Sequence, residues 1–96
     1  MSVRDRIIKT LEDALTPFFL RVEDFSERHA GHSGYREGGG SHFDVLIVAD
    51  AFENKSLTER HRIIYTLLDT EIKAGLHALK LKTLTVAEAK MRKMLS

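Results

Sequence analysis

The sequence predicts an α+β fold of order α-β-β-α-β-α, a three-stranded mixed sheet with helices packed on one face. Three observations carry that expectation. Residues 2–16 repeat apolar side chains at three- and four-residue spacing, as an amphipathic helix does. Two apolar, β-rich segments, 18–24 and 42–50, flank one glycine-rich stretch and read as a hairpin. Two capping boxes, Ser56-Leu57-Thr58-Glu59 and Thr85-Val86-Ala87-Glu88, each open a further helix on either side of an alternating run, His77–Leu84.

In the first helix Val3, Ile7, Leu11, Ala14 and Leu15 share a face, Ser2 caps the first turn with Asp5 three residues on, and Pro17 forces Thr16 out of helical geometry. Phe18, Leu20 and Val22 then alternate with Phe19, Arg21 and Glu23, a strand with two distinct faces. Five of the six glycines fall in residues 26–41, a length that in a small domain marks a functional or disordered loop. His42–Asp50 has a continuous apolar centre and reads as a strand buried on both faces. In the turn that follows, Phe52 is expected to dip into the core and Asn54 to take a left-handed position. The next helix should run to about Lys73, with Leu57, Ile64, Leu67, Leu68, Glu71 and Ile72 inward, and end at Gly75. His77, Leu79, Leu81 and Thr83 form one face of the third strand, which a helical crossover allows to lie parallel to the second. The last helix, 86–95, should bury Val86, Ala89 and Met94.

Ninety-six residues with 43% hydrophobic content fit one domain with one modest core. No apolar run approaches the roughly 20 residues of a membrane span, and the N-terminus does not read as a signal peptide, so a cytoplasmic protein without a membrane partner is expected. The net charge of +1 leaves any nucleic-acid role to local patches, Arg60-His61-Arg62 and the C-terminal Lys90, Arg92 and Lys93. With no cysteine, imidazole is the one soft ligand the chain can offer a metal. His29, His32 and His42 lie in or beside the glycine-rich stretch, and His77 stands at the head of the third strand. Read alone, His77 fits a strand-start histidine bonded to a neighbouring carbonyl better than a ligand, His29 and His32 fit solvated loop residues, His42 serves structure at the strand entrance, and His61 fits a solvated helix face. Gly38-Gly39-Gly40 is no phosphate loop, because no Gly-Lys-Ser/Thr follows and a strand comes next. Asp24, Ser26 and His29 lack an oriented setting for nucleophilic catalysis, so no enzyme is expected.

Asp24-x-Ser26-x-x-His29, Gly40-Ser41-His42-Phe43-x-Val45-x-Ile47-Val48, Phe52, Arg60-His61-Arg62-x-x-Tyr65, His77-Ala78-Leu79 and Thr83-x-Thr85-x-x-Glu88 together resemble the BolA family, in its histidine-loop type, over nearly the whole chain. The resemblance implies a class II KH-like fold and a partnership with monothiol glutaredoxins of the Cys-Gly-Phe-Ser type. Such pairs share a [2Fe-2S] cluster to which the glutaredoxin gives a cysteine, glutathione a thiolate and the BolA-like chain histidines. It implies His77 as one ligand here and either His29 or His32 as the other. Cluster delivery or iron and redox sensing would be the role. The isolated chain would be a monomer or weak homodimer that carries no cluster. The family also has DNA-binding transcriptional regulators of stress response and cell morphology, and that alternative would use Arg60, His61, Arg62, Lys80 and Lys82 as a nucleic-acid or partner surface. The chain departs from the family at Val86, where proline is usual, at Asn54, where glycine is usual, and in lacking a tryptophan near the C-terminus. Two imidazoles on one iron and sulfur on the other is a known cluster arrangement. It needs neutral imidazole, so assembly should weaken as pH falls through roughly 6.5.

Overall fold

The computed structural model describes residues 2–25 and 42–93. Helix α1 (Val3–Leu15) leads into strand β1 (Phe19–Asp24), and strand β2 (His42–Val48) is followed by a 3-10 turn at Asp50–Phe52. Helices α2 (Leu57–Leu67) and α3 (Asp69–Lys73), strand β3 (Ala78–Leu84) and helix α4 (Val86–Met91) complete the order. The sheet runs β1-β2-β3, with β1 antiparallel and β3 parallel to β2, which is the expected mixed topology.

Local chemistry sets the helix ends. The Asp5 N–H donates to Ser2 Oγ at 3.0 Å, and both capping boxes form in full. Thr16 closes α1 at φ 44°, ψ 58°, its N–H donating to the Glu12 carbonyl. A β-branched side chain at positive φ is strained, so Thr16→Gly should raise the unfolding free energy by about 1 kcal/mol in urea titration. Asn54 takes the left-handed position expected of it (φ 61°), and Gly75 has φ 126°, which only glycine adopts without strain. The helix expected to run unbroken to Lys73 breaks at Leu68 (φ −97°, ψ 12°), which is buried, and Ile72 beyond it still packs on the core.

Side-chain alternation gives the sheet two different faces. Val22, Phe43, Val45 and Ile47 meet Ile7 and Leu11 of α1, Ile64 of α2, Leu68 and the fully buried Phe52 in the main core. Leu46, Val48 and Leu84 point the other way and meet Ala89 and Val86 of α4. Helices on one face therefore describes α1, α2 and α3, and needs correcting for α4, which covers the opposite face where β2 and β3 end. Doubly covered residues explain the continuous apolar run of β2. Leu57, expected inward, is 62% exposed, and Arg60, a turn further on, takes an inward place. The two outer strands each have a carbonyl covered by a helix-borne arginine: Arg4 Nε donates to Val22 O at 2.8 Å, and Arg60 Nη1 to Thr83 O at 3.1 Å. Such cover blunts sheet edges against stray pairing.

Candidate functional site

Because β2 and β3 are parallel and in register from His42↔Ala78, their first residues lie side by side at one end of the sheet. The antiparallel β1 ends there too, and the Phe25 N–H donates to the His42 carbonyl at 3.0 Å. Phe25 and His42, the described residues on either side of 26–41, therefore both stand at this end. His77, the residue before β3, is exposed, and its ring centroid lies 5.3 Å from that of His42, with the planes tilted by 53°. His42 is only 4% exposed and packs edge-on against Phe25 at 5.9 Å. Lys80 Nζ lies 5.5 Å from the centre of the Phe25 ring. His29 and His32, one or other of which the family resemblance implies as the loop ligand, lie outside the described residues. Among the described residues no three or more histidines, aspartates or glutamates are grouped to hold a metal, and the imidazoles in contact at this end are His42 and His77.

Sequence reasoning assigned His42 to structure alone and missed its neighbourhood with His77, 35 positions away. The signal was there: two histidines each at the start of a strand, in strands joined through a helix, come together if those strands pair in parallel from their first residues.

The basic residues separate sharply. Arg60, expected on an exposed surface, is buried. Its Nε donates to Lys55 O at 3.0 Å and its guanidinium grips Glu88 at 2.6 and 3.2 Å. Arginine is favoured at such a place because its planar fork meets a carboxylate and carbonyls together. The hydrogen bond from Arg60, then that from the Thr85 N–H, hold the Glu88 carboxyl down to about 2. His61 is half-buried, with Nε2 enclosed and without a hydrogen-bond partner among the described residues. Arg62, Lys80 and Lys82 are exposed. Lys80 and Lys82 share the sheet face that α4 covers in part, whereas Arg62 projects from α2.

The fold and this end of it define a small α+β domain presenting paired imidazoles beside the two ends of a glycine-rich segment. The pattern described for BolA-like proteins matches residues 11–88, and the chain belongs to the BolA family. It is 51% identical over 87 residues to SufE-like protein 1, chloroplastic/mitochondrial, of Arabidopsis thaliana, a match covering 86% of this chain and 24% of that protein. It is 42% identical over 86 residues to Protein BOLA1, chloroplastic, of the same plant, covering 88% of this chain and 54% of the relative. The DNA-binding transcriptional regulator BolA of Escherichia coli strain K12 is 41% identical over 88 residues, covering 92% and 80% of the two chains. The chain thus spans about a quarter and about half the length of the two plant relatives. The solved BolA domain of SufE1 from Arabidopsis thaliana superposes with a TM-score of 0.83 at 50% identity, covering 92% of this chain and 96% of that one. BolA1 from the same plant gives 0.82 at 36% identity, with the same coverage of both chains. No described helix is long and apolar enough to cross a membrane.

Proposed function

We propose that this BolA-family chain is a non-enzymatic partner of a monothiol glutaredoxin and lends histidine nitrogen to a shared [2Fe-2S] cluster, for cluster delivery or for iron and redox sensing. The supporting observation is the exposed His77 beside His42, at the end of the sheet where residues 26–41 begin and finish. Imidazole fits the nitrogen half of a mixed-ligand cluster, and a thiol-free chain needs its sulfur ligands from outside. The cluster is cargo held between two proteins, and this chain's part is to hold nitrogen donors at the shared face. His77 is the fixed donor, and His29 or His32 would close from the glycine-rich segment. A cytoplasmic setting, where glutathione is available, suits this pairing, although the plant relatives are named as organellar.

Mixing the chain with a Cys-Gly-Phe-Ser glutaredoxin, glutathione, iron and sulfide should give a heterodimer on gel filtration, with a visible spectrum distinct from that of the glutaredoxin alone. A mixture that elutes as two separate proteins with the glutaredoxin's own spectrum would sink the proposal. The second reading, a DNA-binding regulator, draws support from the name of the Escherichia coli relative and from the exposed Lys80 and Lys82. The inward-facing Arg60 removes a cation from the patch that this reading first used.

A further inference from the structure

Helix α2 has a second side that the imidazole end does not use. A shallow open groove of about 430 Å³ runs along it, lined by Lys55, Glu59, Arg62, Ile63, Thr66 and Leu67. Its floor is aliphatic: Ile63 and Leu67 are half-buried, and Leu67 also packs against the main core. Its rim is cationic. Lys55 and Arg62 are exposed, and neither belongs to an ion pair among the described residues. The acid between them, Glu59, accepts the Ser56 N–H at 3.0 Å as half of the capping box and also feels the charges of Lys55 and Arg62, so the rim keeps one net positive charge. Tyr65, one turn beyond Arg62, is 44% exposed.

We propose that this groove docks an acidic segment of a partner protein, with one apolar side chain on Ile63 and Leu67 and flanking carboxylates on Lys55 and Arg62. Charge complementarity selects the occupant. A phosphate backbone would meet the two cations but leave the aliphatic floor without a role. Single-stranded bases would want aromatic platforms, which the floor lacks. A short acidic-apolar peptide uses floor and rim at once. The polar end of the groove lies on the turn whose Arg60 reaches Thr83, five residues along β3 from Ala78 and so roughly 17 Å from the imidazole end. Docking here does not depend on a cluster.

The test uses the full chain as bait for a phage-displayed library of random dodecapeptides, followed by fluorescence anisotropy with the synthesised consensus. Enriched peptides should carry aspartate or glutamate on both sides of an aliphatic or aromatic residue. Lys55→Glu/Arg62→Glu should weaken the consensus by about tenfold or more, and His77→Ala should leave it unchanged. Both reversed side chains are exposed, so a wild-type circular dichroism spectrum and melting curve should accompany the loss. A neutral or basic consensus, no consensus, or equal binding to the charge-reversed variant would each overturn the proposal. So would duplex DNA displacing the peptide and losing affinity in the same variant, since that would identify a phosphate site.

Discussion

Arg60→Ala is expected to lower the unfolding free energy by about 3 kcal/mol, a drop in melting temperature on the order of 12–24 °C for a domain of this size. The guanidinium satisfies the Lys55 and Thr83 carbonyls and the Glu88 carboxylate, and it lies 6.0 Å from the centre of the buried Phe52 ring. It joins α2, the outer edge of β3 and α4 in one contact set, so truncation strands two carbonyls and releases the capping box of the last helix together. Lysine should rescue little, because a single ammonium cannot reproduce the fork. Arg62→Ala, two residues on and exposed, should stay within about 0.5 kcal/mol. Acid should remove part of the same stabilisation. Glu88 is held at about 2 against an ordinary value of 4.5, so its contribution is complete above pH 4.5 and fades as pH falls towards 2. With 41% of that side chain exposed, solvent screening holds the contribution to about 1 kcal/mol. Urea titrations of wild type and Arg60→Ala at pH 7 and pH 3 should therefore converge partly at the lower pH. Equal stability of the two proteins at pH 7 would show that the contact set holds nothing together.

What could be read in advance was whatever depends on near neighbours. Ser56 with Glu59 and Thr85 with Glu88 are three apart, and both boxes close as that spacing implies. Pro17 constrains Thr16 directly, and Thr16 leaves helical geometry as expected. Side-chain period two marked the faces of β1 and β3. Readings that failed needed distant partners. Arg60 resembles any surface arginine until β3 brings the Thr83 carbonyl and α4 brings Glu88, 23 and 28 residues away. Leu57 falls on the apolar period of its helix, yet it sits in the first turn, and Arg60 takes the inward place beside the 3-10 turn. The position of α4 was missed although the continuous apolar run of β2 signalled cover on both faces, because that run does not say which helix provides the second. His42 belongs to the same class, since its proximity to His77 exists only through the parallel register.

His77→Ala should abolish the mixed-complex cluster spectrum while leaving the fold intact, with a stability change within about 0.5 kcal/mol, because the side chain is exposed. The buried neighbour should behave differently. His42 fills the space between Phe25 and His77, so His42→Ala should cost about 1–3 kcal/mol of stability and lower cluster retention by about tenfold as His77 loses its support. His42→Phe separates packing from chemistry. The ring contacts to Phe25 and His77 survive, while the nitrogens are gone. Wild-type cluster retention in that variant would make His42 a positioning residue and leave the second nitrogen to His29 or His32. Loss as complete as in His77→Ala would make the nitrogen of His42 itself the requirement. A wild-type cluster spectrum in His77→Ala would remove His77 from ligation.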